Sequence, residues 1–262
     1  MYRGFDLKID WNKYINDPDF KDMYNECLQI GKELYNEKRI QVKETLDNLI
    51  LEDGSLDGTK MQNNWFPQIK SDIFISHSHK DEEKAIFLAG MLSEVFGLEL
   101  FVDSCIWGNA NDLLKEIDKN YCFNEKNDTY YYEKRNYSTS HVHMILSTAL
   151  TMMIDKTECL FFLNTPNSIS ASDLIEQTES PWIYSEIAIS QMIRKRNPFE
   201  HRLLEKSLYV KDSILYNENL KVKYELPLDH LTDIDFETII KWIEYKNKNN
   251  IEDSLRALYD II

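Results

Sequence analysis

The sequence predicts an α/β protein built on an open, mostly parallel β-sheet with helices on both faces. Short apolar runs rich in β-forming residues occupy residues 72–76, 98–103 and 158–163, and each run is typical of a buried strand. An amphipathic segment at residues 82–96 separates the first two runs, which together with it form a βαβ unit. Ligands of such sheets bind beyond the carboxyl ends of the strands, so function is expected in the loops that follow them.

Three helices are predicted with clear signals. The helix between the first two strands is followed by Gly97, a residue that favours the left-handed backbone found at helix ends. Residues 141–155 carry apolar side chains at i, i+3, i+4 and i+7 spacing, which indicates an amphipathic helix. Ser180 and Pro181 suit the N-cap and the first helical position, and they open a helix predicted over residues 181–196.

The remaining segments define the expected domain organisation. Residues 1–68 are interpreted as an N-terminal helical extension, because their apolar residues recur at helical spacing. Residues 69–230 form the main domain, within which the polar, tyrosine-rich residues 121–140 are expected to be a surface insertion, and residues 231–262 are expected to be C-terminal helices packed on it. Weaker signals predict a helix at residues 111–119, strands at 207–210 and 221–226, and helices at 236–245 and 251–262.

The charge balance argues against two classes of partner. The 262-residue chain carries 45 Asp and Glu residues against 30 Lys and Arg residues, a formal net charge of −15, and it has no basic block. Nucleic acids and anionic membranes are bound through Lys and Arg side chains, so neither is expected as a partner.

Cysteine usage and hydropathy predict a cytoplasmic protein. Cys27, Cys105, Cys122 and Cys159 are scattered, with no C-x-x-C pair and no zinc spacing, which is typical of reduced thiols in a cytosolic protein. The first residues lack the apolar stretch of a signal peptide, and no apolar run approaches the roughly 20 residues that a membrane helix needs.

Segments around the predicted strands resemble TIR (Toll/interleukin-1 receptor) domains. The segment FISHS at residues 74–78 is similar to the first conserved box of that family, and LFVD at residues 100–103 is similar to its second strand, which leads into the mobile BB loop. The segment LFFLNT at residues 160–165 stands where TIR domains have their fourth strand, and WIYSE at residues 182–186 matches the W-x-x-x-E arrangement of catalytic members. The resemblance covers roughly residues 70–230.

This resemblance implies a flavodoxin-like TIR domain that cleaves NAD, with Glu186 as the catalytic residue. It also implies self-assembly through TIR surfaces. The similarity to bacterial anti-phage TIR enzymes such as those of Thoeris systems implies an NAD glycohydrolase, cyclase or ADP-ribosyl transferase. Such an enzyme makes an ADP-ribose-type signal nucleotide that a downstream effector senses, or it simply depletes NAD. NAD is then the substrate, and neither a separate cofactor nor a metal is expected. The substrate-binding residues expected from the resemblance and from the loops are Ser76, His77, Ser78, Asp103, Trp107, Asn164 and Trp182.

The chemistry of NAD agrees with a single catalytic carboxylate. The leaving group is a cationic pyridinium that departs as neutral nicotinamide, so the general acid of ordinary glycoside hydrolysis is unnecessary. Trp182 and Glu186 are four residues apart, about 40° around a helix, and therefore share a face. The tryptophan could wall a pocket beside the carboxylate, although the same spacing also fits a core tryptophan next to an exposed glutamate.

The loop after the first predicted strand has two interpretations as a binding site. Residues 76–80 lead into a helix N-terminus, whose free N–H groups and positive dipole end suit a diphosphate, although ordinary helix capping explains them as well. Where many TIR domains have an aromatic residue followed by Arg, this chain has His77, Ser78 and His79, so the mode of phosphate binding differs from the family pattern.

The histidines and Trp107 also keep alternatives open. The pair His77-x-His79 is reminiscent of metal hydrolases, but His141 and His143 lie about 200° apart on a helix and cannot join one ion. Trp107 follows Asp103 and Ser104 at the start of the candidate BB loop, where it could stack on a base, dock a neighbouring subunit or cover the core.

Two other functions compete with NAD cleavage. One is a non-enzymatic TIR adaptor that works through its surface, for which a buried carboxylate at position 186 has no use. The other is an enzyme similar to nucleoside 2-deoxyribosyltransferases, which have a related fold and a catalytic glutamate and act on free nucleosides.

Overall fold

The computed structural model describes residues 1–14, 16–40, 49–107, 110–169, 177–198 and 224–262. In these ranges the chain forms a mixed α/β structure with strands and helices in alternation. The strands are β1 (Arg3–Lys8), β2 (Ile73–Ser76), β3 (Leu100–Phe101), β4 (Phe123–Asn124), β5 (Thr129–Tyr130), β6 (Cys159–Asn164), β7 (Gln177–Thr178), β8 (Tyr224–Glu225) and β9 (Thr232–Ile234). The helices are α1 (Trp11–Tyr14), α2 (Pro18–Ile40), α3 (Gly58–Trp65), α4 (Glu82–Phe96), α5 (Asp103–Ile106), α6 (Ala110–Ile117), α7 (Tyr132–Lys156), α8 (Pro181–Met192), α9 (Phe236–Asn249) and α10 (Ser254–Asp260).

The central sheet has five strands in the order β3-β2-β6-β1-β9, and every neighbouring pair is parallel. The three predicted strands are confirmed as β2, β3 and β6, and the predicted helix at residues 82–96 is confirmed as α4. A parallel sheet with helices on both faces is therefore the observed architecture, as the sequence predicts.

Strand β1 corrects the interpretation of residues 1–68 as a helical extension. It lies inside the sheet, where Phe5 pairs with Phe161 of β6 on one side and with Thr232 of β9 on the other. Phe5 and Leu7 are fully buried and alternate with Asp6, a period of two that is typical of a strand. Charged residues at alternate positions made this strand difficult to recognise in the sequence. The rest of the segment does contain helices, α2 and α3, as the sequence predicts.

The strand order differs from the expected flavodoxin-like order in the position of β1. With β1 set aside, the order β3-β2-β6-β9 reads 2-1-3-4 along the chain, which is the first part of the flavodoxin-like order 2-1-3-4-5. Strand β1 occupies an additional place between the third and fourth of these strands. All five strands end at one edge, so their carboxyl ends lie next to each other.

Helices cover both faces of this sheet. Side chains that pair across parallel strands share a face, so Ile75, Phe161 and Phe5 point to one side. The ring of Tyr259 in α10 is stacked on Phe5 there, with ring centroids 6.3 Å apart. The opposite face carries Ser76, whose hydroxyl contacts Glu186 of α8.

Several predicted boundaries change in the structure. Helix α7 begins nine residues before the predicted 141–155, because its first turns are polar and exposed and leave no apolar stripe. The expected surface insertion is therefore a short antiparallel hairpin, β4 with β5, followed by these turns. The candidate strand at residues 207–210 lies outside the described residues. Part of the other candidate strand, Tyr224–Glu225, pairs antiparallel with β7.

The hydropathy of the helices agrees with the sequence. None of the helices in the described ranges is both long and apolar enough to cross a membrane.

Candidate active site

Glu186 lies at the carboxyl-terminal edge of the sheet. Helix α8 starts as the sequence predicts, with the Ser180 hydroxyl oxygen accepting a hydrogen bond from the Ile183 N–H and with Pro181 in the first turn. One turn further, Glu186 is only 4% exposed. Its Oε2 accepts a hydrogen bond of 2.6 Å from the hydroxyl of Ser76, the last residue of β2. The carboxyl thus sits where parallel sheets bind ligands.

The surroundings of Glu186 favour its uncharged form. Burial raises the pKa of this carboxyl well above its ordinary value, and the negative charge of Asp103 raises it further. The hydrogen bond from Ser76 opposes both effects and lowers the pKa, without overcoming them. A cation placed beside Glu186 would reverse this balance and stabilise the carboxylate, because opposite charges attract strongly in a desolvated site.

His77 is enclosed by the ends of β2 and β3. Its side chain is 2% exposed, with Nε2 within 3.3 Å of the Ser104 hydroxyl and Nδ1 3.9 Å from Oδ1 of Asp103. Nδ1 also lies 3.4 Å from the carbonyl oxygen of Ile75. The expected role of His77 in binding substrate is not supported, since the ring connects two protein segments and has almost no free surface.

The N-terminus of α4 is occupied by the protein's own carboxylates. Asp81 is 1% exposed and accepts hydrogen bonds from Lys84 Nζ at 2.6 Å, from Asn167 Nδ2 at 3.0 Å and from the Thr165 hydroxyl at 2.5 Å. Burial acts to raise the pKa of Asp81, but these hydrogen bonds outweigh it and hold the pKa below its ordinary value. An ionised aspartate therefore already complements the dipole at this helix end and would repel phosphate, so the structure gives no support to the expected diphosphate site.

Ser78 caps the short turn that follows the same loop. Its hydroxyl oxygen accepts a hydrogen bond of 3.4 Å from the Lys80 N–H at the start of a short 3₁₀ turn. Ordinary capping, one of the two interpretations of this loop, is the one observed.

The two tryptophans of the candidate site differ in accessibility. Trp107 is 3% exposed, packs edge-on against Phe101 and Phe66 with centroids 4.8 and 5.5 Å away, and donates its Nε1–H to the Pro67 carbonyl oxygen at 3.0 Å. It covers the core, which is one of the roles that the sequence leaves open, and the structure gives no support to its predicted contact with substrate. Trp182 is half-buried, one turn before Glu186.

Asn164 is part of a polar cluster that the sequence interpretation missed. Its Nδ2–H donates to Oδ2 of Asp6 at 3.1 Å, and Lys8 Nζ lies 3.0 Å from the same oxygen and 2.9 Å from Oδ1 of Asp233. Asp6 is 2% exposed, and its burial raises the pKa of the carboxyl. Asn164 thus orients Asp6, a role different from the predicted contact with substrate.

Asp6 and Ser76 belong to one row across the sheet. Ser76 pairs with Phe162, and Phe162 pairs with Asp6, so the three side chains share the face on which Ser76 contacts α8. Two strand spacings of about 4.8 Å separate the backbones of Asp6 and Ser76. The alternation of Phe5 and Leu7 with charged residues was the signal in the sequence that could have located the buried carboxyl of Asp6.

The described residues hold no cluster of three or more His, Cys, Asp or Glu side chains arranged for a metal ion. All four cysteines are buried thiols.

Comparisons with protein-family models, with curated proteins and with solved structures found no match to this chain. The geometry around Glu186 is therefore the principal basis for a functional proposal.

Proposed function

We propose that this chain is a TIR-type enzyme that cleaves the nicotinamide–ribose bond of NAD, with Glu186 as the catalytic carboxylate. The observation that carries the proposal is the position of Glu186, which is 4% exposed and hydrogen-bonded to Ser76 at the carboxyl end of β2. A surface glutamate would have offered no such support. Burial of an ionisable group carries a free-energy cost, and groups of this kind are concentrated at functional sites.

The electrostatics of the site suit a cationic N-riboside. In NAD the nicotinamide nitrogen carries a positive charge, and this charge favours the ionised form of Glu186. As the bond from C1′ to nitrogen breaks, its electron pair returns to the ring and neutral nicotinamide leaves. Positive charge then develops on the ribose, where a preorganised carboxylate in a low-dielectric site stabilises it.

The placement of the resembling segments supports the same assignment. The FISHS segment forms β2 and its following turn, and the W-x-x-x-E segment forms the first turns of α8. Trp182 remains a candidate for the pocket wall, because it lies half-buried on α8 one turn before Glu186. The product would be an ADP-ribose-type nucleotide that a partner effector senses, and self-assembly of the chain would regulate its formation.

A direct test measures nicotinamide release from NAD by the purified full chain with mass spectrometry. We expect release by the wild type and a fall of about 100-fold or more in Glu186→Gln, the typical effect of removing one preorganised electrostatic group. The matched control is Glu158→Gln. Glu158 is also a buried glutamate, 6% exposed, but it precedes β6 at the opposite edge of the sheet, where Tyr259 donates to it at 3.1 Å.

The outcomes separate the competing functions. Undiminished NAD cleavage in Glu186→Gln would remove this residue from the mechanism. Turnover of deoxynucleosides in place of NAD would favour a deoxyribosyltransferase. Turnover of neither substrate would leave the adaptor function.

A further inference from the structure

A second carboxyl lies next to the one that the proposed reaction uses. Asp103 is the first residue of α5, directly after β3. Oδ1 of Asp103 lies 3.9 Å from Nδ1 of His77, the residue that follows Ser76 at the end of β2. Ser76 is the residue whose hydroxyl holds Glu186, so both carboxyls lie at the carboxyl ends of the adjacent strands β2 and β3.

The two carboxyls differ in access to solvent. Glu186 is buried, whereas the side chain of Asp103 is 31% exposed. His77 and Ser104, which are hydrogen-bonded to each other, lie against Asp103 and restrict the positions that it can take. An exposed carboxylate whose position is fixed by its neighbours can contact a molecule that arrives from solvent. A buried carboxylate can contact only a substrate that is already bound.

We infer that Asp103 accepts the proton of the nucleophile that attacks the ribose, while Glu186 stabilises the positive charge on the sugar. This inference rests on the proposed NAD cleavage. In the step, the water oxygen forms a bond to C1′ and one water proton passes to the Asp103 carboxylate. The bond between C1′ and the nicotinamide nitrogen breaks, and its electron pair stays on the leaving nicotinamide. ADP-ribose, neutral nicotinamide and a protonated Asp103 result, and the proton then leaves to solvent.

A nucleophile without a proton separates this role from a structural one. A pyridine base such as 3-acetylpyridine attacks C1′ through its ring nitrogen and has no proton to lose. This base exchange is the reverse of nicotinamide departure with a different ring, so it needs Glu186 but not a general base. Hydrolysis and base exchange can be followed together by mass spectrometry of NAD incubated with the purified chain and 3-acetylpyridine.

We expect Asp103→Asn to lose about 100-fold or more in hydrolysis, the size typical of a general base, while base exchange continues at the wild-type rate. Asp103→Ser, which also suits the start of a helix, should show the same split. Glu186→Gln should lose both reactions. Asp112→Asn changes an exposed aspartate of α6 that pairs with Lys115 at 3.1 Å, and it should alter neither reaction.

Two results would overturn the inference in different ways. Equal losses of hydrolysis and base exchange in Asp103→Asn and Asp103→Ser, with wild-type NAD cleavage intact, would assign Asp103 a structural or binding role. Absence of nicotinamide release from NAD in the wild type would remove the proposed function itself, and this inference with it.

Discussion

Ser76 gives the buried carboxyl of Glu186 its hydrogen-bond partner at 2.6 Å. A buried polar group without such a partner would destabilise the fold by about 1–3 kcal/mol. The bond does not remove the cost of charging Glu186, since burial and Asp103 still raise its pKa well above the ordinary value of 4.5. Stability and pH are therefore linked through this residue.

We predict that Glu186→Gln stabilises the free protein more at pH 8 than at about pH 5.5. Above the ordinary pKa of 4.5 the unfolded chain releases the Glu186 proton, while the folded chain retains it until pH reaches the raised value. Wild-type stability from this group is thus lost as pH rises, and glutamine, which does not ionise, avoids the loss. Thermal unfolding of both proteins across this pH range is the measurement, and a difference that stays constant or shrinks with pH contradicts the assignment.

Single side chains were the least predictable part of the site from sequence. The W-x-x-x-E spacing placed Glu186 correctly on a helix. Sequence does not tell a core tryptophan from one that lines a pocket, and Trp107, which follows a strand, is buried in the core. His77 and Asp81 follow a strand as ligand-binding residues do, yet their partners Ser104 and Thr165 come from distant segments. Such pairings are set by the fold and leave no local pattern.

Helices α2 and α4 approach each other closely where glycines meet. A Cβ atom built on Gly90 of α4 would overlap the backbone carbonyl oxygen of Cys27 in α2, and one on Gly31 would overlap the carbonyl oxygen of Ile86. Backbone atoms cannot rotate away as a flexible side chain can. The contact therefore needs glycine at both positions for a steric reason, and neither is needed there for a positive φ.

We predict that Gly90→Ala lowers the free energy of unfolding by about 1–3 kcal/mol or more, the cost of forcing extra atoms into a packed interface. The matched control is Gly58→Ala at the start of α3, where a Cβ meets nothing within 4 Å. Denaturant unfolding monitored by circular dichroism gives both values. Equal stabilities for the two variants would mean that the helices have room to separate.

Elements with an uninterrupted apolar pattern were predictable, and β1 was not. Strands β2 and β6 are apolar runs buried on both faces, and α4 is a helix closed by Gly97 with φ of 68°. Strand β1 contains Asp6 and Lys8; Lys8 is about half exposed, while the buried Asp6 is paired with Lys8 and with Asn164 of the distant strand β6. That compensation exists only in three dimensions, so the sequence favoured a helical extension instead.

At the scale of the whole molecule, β1 makes the amino-terminal segment part of the sheet that carries the site. Phe5 is fully buried, packs edge-on against Phe161 of β6 at 5.2 Å and is stacked on Tyr259 of α10. Truncation of such a side chain typically costs about 3–5 kcal/mol. This is a large share of the roughly 5–15 kcal/mol that stabilises a typical native protein.

We therefore predict that Phe5→Ala shifts a single cooperative unfolding transition of the entire chain to lower denaturant concentration. Met192→Ala, which truncates an apolar side chain that is 76% exposed, should leave the transition in place. Tryptophan fluorescence and far-ultraviolet circular dichroism should report the same shift, because the site and β1 share one sheet and lose their structure together. If residues 1–68 were instead an extension that folds separately, Phe5→Ala would move only a minor early transition and leave the main one unchanged.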